Sequence, residues 1–153
     1  MRSDFHDRYV ELKLERANSR DNFAGADNDK ERTKLAVTLR DSRIGIAGDA
    51  WQYAVEAAYG TFTTSVMTSA RPFQKLNGDV AYTRALPNGM QFSGSVAAQW
   101  AFTDLEGGER MVISGAGGVR GHPAGDAGDV ALLGRFELQK LYELPYVGGM
   151  WTD

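Results

Sequence analysis

The chain has 153 residues, a length typical of one domain, and 42% of them are hydrophobic. Its formal net charge of −3 gives no electrostatic basis for binding nucleic acid, and the absence of cysteine excludes disulfides, thiolate metal sites and cysteine nucleophiles. No run of about 18 apolar residues occurs, so no transmembrane helix is predicted, and the polar stretch after Met1 lacks the features of a signal peptide.

Alternation of apolar and polar residues is the dominant pattern along the chain. In the first run, "RYVELKLER", Val10, Leu12 and Leu14 point one way while Glu11 and Lys13 point the other. A period of two is the signature of a half-buried β-strand. Six further runs complete a set of about seven predicted strands: "TKLAVTLR", "WQYAVEAAYG", "KLNGDVAYTR", "MQFSGSVAAQWAF", "LLGRFELQ" and, at the end, "YVGGMWTD". The predicted fold is therefore all-β and antiparallel.

The connections between these runs are of two kinds. "ALPNGM", residues 85–90, is predicted to be a tight hairpin, because Pro87 presets its φ and the pair Asn88-Gly89 tolerates positive φ. "NSRDNFAGADNDKERT", residues 18–33, is long and polar and is predicted to be a loop, as are residues 103–129. Short turns and long loops are expected at opposite ends of the sheet.

Each predicted strand has one apolar and one strongly polar face, which is compatible with two kinds of protein. A soluble β-sandwich shows the same alternation. Two features favour a membrane β-barrel: strands of roughly the 9–11 residues that cross a bilayer when tilted, and aromatic residues near the strand ends on the apolar face. These aromatic residues are Trp51, Tyr59, Tyr82, Phe92, Trp100 and Phe102. The pattern by itself leaves both possibilities open.

The glycine-rich stretch "GAGGVRGHPAGDAGD", residues 115–129, invites two site hypotheses that the flanking residues argue against. A dinucleotide site with Glu137 as the ribose-binding acid needs a helix after the glycines, and no helical period follows them. A metal site from His122, Asp126 and Asp129 competes with the common use of aspartate as a turn residue in glycine-rich loops. No catalytic constellation is found, and the chain is not expected to be an enzyme.

Residues 112–138, "VISGAGGVRGHPAGDAGDVALLGRFEL", resemble the most characteristic region of the two-partner secretion transporters. These are the haemolysin secretion/activation proteins (ShlB/FhaC/HecB) of the Omp85 outer-membrane superfamily. In that family a strand leads into a long loop with the motif Val-Arg-Gly-aromatic, followed by an acidic glycine-rich segment and a strand ending in Glu-Leu. The motif matches Val119, Arg120, Gly121 and His122, with His122 in place of the usual aromatic residue.

The closing stretch "MWTD" resembles the aromatic-x-Asp motif that the family carries on its next strand, with Trp151 as the aromatic residue and Asp153 as the acid. The resemblance is specific over residues 71–153. It implies that residues 1–153 form part of an outer-membrane β-barrel domain with a lumen loop at about residues 103–129. It also implies that Arg120 meets Asp153 inside the barrel.

The family further implies a function and partners. Its members are sixteen-stranded barrels with two periplasmic domains that secrete a partner exoprotein of haemolysin or adhesin type across the outer membrane of Gram-negative bacteria. The expected partners are therefore this exoprotein, outer-membrane lipid, the rest of the barrel and the periplasmic domains, with no cofactor, metal or nucleic acid.

The number of predicted strands bears on whether the barrel is complete. About seven strands cannot close a bacterial barrel, which has an even number, so the chain is expected to be a fragment of a larger one. An Omp85-type assembly factor and a soluble ligand-binding β-domain remain as alternatives.

Overall fold

The computed structural model describes residues 5–23, 26–46, 48–65, 69–113 and 127–140. Within these residues the chain forms eight β-strands and one short 3₁₀ turn, Gly107–Glu109. The strands are β1 (Phe5–Phe23), β2 (Ala26–Ile44), β3 (Asp49–Thr64), β4 (Arg71–Leu86), β5 (Met90–Ala101), β6 (Met111–Val112), β7 (Ala127–Gly128) and β8 (Val130–Lys140).

Six of the strands form one antiparallel sheet in the order β1-β2-β3-β4-β5-β8, so each strand pairs with the next long strand along the chain. The short strands β6 and β7 pair with each other. The six long strands contain the first six predicted runs, except for Phe102 at the end of the fifth run, and the prediction of an all-β antiparallel fold is confirmed. The seventh run, residues 146–153, lies outside the described residues. In the described part of the chain, no helix is long and apolar enough to cross a bilayer.

The predicted polar loop over residues 18–33 is wrong. β1 continues to Phe23 and β2 begins at Ala26, so most of this stretch is a paired β-ribbon. Because both faces of the ribbon are polar, the alternation of apolar and polar residues by which a strand is recognised in a sequence is absent here. Here the ladder of backbone hydrogen bonds is reinforced by cross-strand ion pairs, such as Arg20 with Asp29 at 2.6 Å between Nε and Oδ1. Pairing therefore overrides the weak β-propensity of Asn and Asp.

The hairpin between β4 and β5 is confirmed. β4 ends at Leu86 opposite Met90, the first residue of β5. Asn88 and Gly89 have φ values of 62° and 69°, in the left-handed region that glycine and asparagine enter most easily.

The register separates the side chains of the sheet into two faces of opposite character. The apolar face carries large hydrophobic side chains that are well exposed, among them Leu12 at 71% and Leu132 at 74%. One cross-strand row of this face runs Leu12, Val37, Ala57, Leu76, Trp100 and Val130. The neighbouring row of the polar face runs Lys13, Ala36, Ala58, Lys75 and Ala101.

Most of the buried side chains of the sheet lie on its polar face, although Asp41, towards the end of the other face, is also buried and is paired with His6 and Arg8. On the polar face Ala36, Ala58 and Phe73 are buried, and so are the polar side chains of Thr38, Lys75 and Gln99. The sheet thus exposes its hydrophobic residues and buries charged ones, which is the reverse of the usual distribution in a water-soluble domain.

Candidate functional site on the polar face

The connection after β5 lies against the polar face, and we call its described part, residues 102–113, the cover segment. Its first residues stay attached to β4: the Phe102 amide donates to the Gln74 carbonyl at 2.9 Å, and the Gln74 amide donates to Thr103 Oγ1 at 3.1 Å. A 3₁₀ turn follows, capped by Glu106, whose carboxylate accepts from the Gly108 amide at 2.8 Å. The cap satisfies an amide that the turn leaves without a backbone partner.

Glu109, the last residue of this turn, points its side chain into a cluster of cations on the sheet. Its side chain is only 3% exposed, and its carboxylate lies 2.5 Å from Arg32 Nη1 and 2.7 Å from Lys75 Nζ, with Lys34 Nζ at 3.9 Å. Lys75 Nζ also donates to the backbone carbonyl of Glu109 at 2.8 Å. Because a buried carboxylate without a partner is strongly destabilising, these cations are what allow Glu109 to sit there.

Arg32, Lys34 and Lys75 together form what we call the carboxylate socket. Arg32 and Lys34 come from β2 and Lys75 comes from β4, so β3 runs between them. Beside the two lysines β3 presents small residues to the polar face, because Gly60 pairs with Lys34 and Ala58 pairs with Lys75, whereas Phe62 lies opposite Arg32. Cations from both sides of β3 therefore converge on the Glu109 carboxylate.

Gly60 is required by close packing. A Cβ atom at this position would lie 2.5 Å from the Phe73 ring and 2.5 Å from the backbone carbonyl oxygen of Thr33. Phe73 is fully buried on the same face, and Leu105 of the cover segment is buried as well. The socket therefore has an apolar floor next to its charged rim.

A second carboxylate balances the socket from β1. Glu15 lies 2.7 Å from Arg32 Nη2, 3.0 Å from Lys13 Nζ and 3.9 Å from Lys34 Nζ. Nearby, Glu106 of the cover segment pairs with Lys30 at 3.3 Å. Three strands and the cover segment thus contribute to one network of alternating charges, in which each ion has an opposite neighbour.

The far end of the cover segment is tied to the strand that follows. Arg110 Nε lies 2.9 Å from Asp129 Oδ1, and it donates to the Leu105 carbonyl at 3.2 Å. The Asp129 carbonyl accepts from the Ala101 amide at 3.0 Å, and Gln99 Nε2 donates to the Gly128 carbonyl at 3.1 Å. Asp129, one of the residues considered above as a metal ligand, therefore serves to close the ends of this connection.

The site residues predicted from the sequence fall elsewhere in the chain. Val119, Arg120, Gly121 and His122 lie outside the described residues, as do Asp126, Trp151 and Asp153.

The carboxylate socket was not predicted from the sequence. Lys75 was assigned correctly to a polar face, and Glu109 fell within the predicted loop over residues 103–129. Only the strand register brings them together, and no short sequence motif encodes that register.

The fold and this site define a class of protein: an antiparallel sheet that is apolar on one face and carries an inserted connection on its polar face. A family model described as haemolysin secretion/activation protein ShlB/FhaC/HecB matches residues 2–140. The chain belongs to this family, which consists of two-partner secretion transporters of the Omp85 superfamily found in the outer membrane of Gram-negative bacteria. The predicted family resemblance is thereby confirmed. Neither the curated proteins nor the solved structures contain a match to the chain.

Proposed function

We propose that this chain forms part of the outer-membrane β-barrel of a transporter that secretes a partner exoprotein of haemolysin or adhesin type through the space lined by the polar face. The rest of the barrel and the periplasmic domains would be supplied by further sequence of the same transporter. The observation that carries the proposal is the two-faced sheet in a member of this family.

The apolar face supports a boundary with lipid. Its exposed hydrophobic side chains form a band across all six strands, as in the row Leu12, Val37, Ala57, Leu76, Trp100 and Val130. Aromatic residues lie towards the ends of this band: Trp51 stacks on Tyr82 with ring centroids 4.2 Å apart, and Trp100 is exposed at the other end. Aromatic girdles of this kind mark the two interfaces of transmembrane barrels.

The polar face supports an aqueous path for an unfolded polypeptide. Charged and amide side chains lie along it from β1 to β8, and several of them pair with each other, as Asn77 does when it donates to Glu56 at 2.9 Å. A lining of amides and charges of both signs presents a translocating chain with neither a large apolar surface nor a field of one sign.

We further propose that Arg120 projects into this path and pairs with Asp153, with Trp151 beside its guanidinium plane. Two observations support a position over the polar face. Residues 114–126 join β6 to β7, whose pairing of Met111 with Gly128 holds the two ends of this stretch together. Both ends are also bound to polar-face side chains, Lys75 at Glu109 and Gln99 at Gly128.

The test is secretion of the partner exoprotein, measured in cells that carry the complete transporter. We expect Arg120→Ala to reduce secretion strongly while the transporter stays in the outer membrane. Arg120→Lys should rescue it poorly, because lysine lacks the planar fork that a carboxylate accepts in bidentate fashion.

The double variant provides the control for this pairing. If Arg120 and Asp153 act as one unit, Arg120→Ala with Asp153→Ala should secrete about as well as either single variant. Normal secretion by Arg120→Ala, or fully additive losses, would contradict the pairing. A complete transporter that secretes no exoprotein at all would contradict the proposed function itself.

A further inference from the structure

The carboxylate socket is a preformed binding site that is filled by the chain's own Glu109. We propose that Glu109 is the positioning residue of the cover segment, and that its pairing with Arg32 and Lys75 anchors the connection between β5 and β8 on the polar face. The inference rests on the proposed function only in placing this connection beside the transport path. The anchor itself consists of the contacts of Glu109 with Arg32 and Lys75, and all three residues are described by the structure.

Burial makes these contacts stronger than ordinary surface ion pairs. The side chains of Glu109 and Lys75 are 3% and 7% exposed, so water screens their attraction little. Two ion pairs between β1 and β2, Arg16 with Glu31 and Arg20 with Asp29, are exposed and lie in water, where such pairs contribute little. The two kinds of pair thus differ in strength although the same residue types form them.

Charge balance also favours the closed position. Among the described residues around the socket, Arg32, Lys34 and Lys75 face the two carboxylates of Glu109 and Glu15. Withdrawal of Glu109 would leave the three cations with Glu15, which contacts Arg32 and Lys34, as their counter-charge. Repulsion among the cations therefore opposes release of the cover segment.

The backbone contact fixes the orientation of the segment as well as its position. Lys75 Nζ bonds both the carboxylate and the carbonyl oxygen of Glu109, so one ammonium group holds two points of the same residue. Leu105, four residues before Glu109 in the cover segment, is 4% exposed, so we expect its accessibility to rise when the segment leaves the polar face.

The experiment uses the complete transporter with Leu105→Cys as a reporter, since the chain has no natural cysteine. We expect Glu109→Gln to raise the rate of labelling by a water-soluble maleimide by about tenfold or more, which corresponds to about 1.4 kcal/mol of opening free energy. Asp104→Asn removes the same charge from an exposed position of the same segment, and it should leave the labelling rate unchanged.

A charge exchange provides a second arm that distinguishes pairing from general loss of packing. Glu109→Lys and Lys75→Glu should each increase labelling more than Glu109→Gln, because each places like charges together. The double variant should label more slowly than either single one. Tryptic cleavage after Arg110 should likewise be faster in Glu109→Gln than in Asp104→Asn; measured in chains without the cysteine, and in these two variants that add no trypsin site, it excludes an effect of the reporter.

Equal labelling rates in Glu109→Gln and Asp104→Asn would overturn the anchor, and so would a double variant that labels as fast as the single ones. Labelling and cleavage require no exoprotein, so they report on the anchor even if the proposed function is wrong. Secretion measured in the same variants reports separately on the function.

Discussion

The apolar and polar faces of the sheet are made by the same six strands, yet they differ in which side chains they expose and which they bury. On the apolar face, leucine, valine and aromatic residues are exposed in rows. On the polar face, Lys75 of the sheet and Glu109 of the cover segment are buried against each other. The contrast shows that burial in this protein follows the partner available at each face: the cover segment on one side and, in the proposed function, lipid on the other.

The largest effect should come from placing a charge on the apolar face. Leu132 lies in the middle of the apolar band, opposite Ala98. We expect Leu132→Arg to lower the unfolding free energy of the complete barrel by about 2–4 kcal/mol, the cost of an arginine at the bilayer midplane. The measurement is urea unfolding of the transporter in lipid vesicles.

The adjacent leucine provides a matched control. Leu133 lies opposite Ala97 in the row of Asp79 and so belongs to the polar face. Leu133→Arg introduces the same side chain one residue away and should cost much less, because the guanidinium remains in water. Equal losses for the two variants would mean that the faces do not have different surroundings.

A smaller effect should follow from adding a single methyl group below the socket. In Gly60→Ala the new Cβ would meet the Phe73 ring and the Thr33 carbonyl at 2.5 Å, and a backbone atom cannot move aside cheaply. We expect a loss of about 1–3 kcal/mol, typical of overpacking, measured by the same urea unfolding.

Gly78 is the corresponding control on the apolar face. Its nearest neighbour to an added Cβ is the Ala54 carbonyl at 4.0 Å, an ordinary contact. Gly78→Ala should therefore leave stability unchanged or raise it slightly, because alanine restricts the unfolded chain. A Gly60→Ala barrel as stable as Gly78→Ala would show that the polar face is less closely packed than its geometry indicates.

The sequence predicts the centre of each long strand but not its ends. Alternation holds where one face is apolar, as from Val10 to Leu14, and disappears in the ribbon beyond, where both faces are polar. Strand formation there depends on partners in the other strand, and these become known only with the register. For this reason the sequence predicts a loop over residues 18–33, although most of these residues are paired between β1 and β2.

The carboxylate socket cannot be predicted from the sequence for a related reason. Arg32, Lys75 and Glu109 are distant along the chain and carry no motif, since any exposed loop or polar strand face contains such residues. The family motifs instead predict a pairing of Arg120 with Asp153, and this pairing remains a prediction. To predict the long-range charge pairing of the socket, one must know both the register of β2, β3 and β4 and the path of the cover segment.

The smallest effect should come from an ion pair that lacks the burial of the socket. Arg20 and Asp29 face each other across the β1–β2 ribbon, beyond the apolar band, and both are exposed. The hydrogen bond from Arg20 holds the pKa of the Asp29 carboxyl below its ordinary value of 3.8. A lowered pKa means that the pair stabilises the ribbon above the unfolded-state pKa and that this contribution is lost as the pH falls through the folded-state value.

Because both groups are in water, salt should screen this contribution. We expect Asp29→Asn to leave the unfolding midpoint of the complete barrel nearly unchanged at neutral pH, and any small difference from the unmodified protein to vanish in high salt or once the pH falls below the lowered folded-state pKa of Asp29. Glu109→Gln measured alongside should keep its effect in high salt, since its partners are buried. If Asp29→Asn were as damaging as Glu109→Gln, burial would not be what separates the two pairs, and the distinction between the polar face and the exposed ribbon would fail.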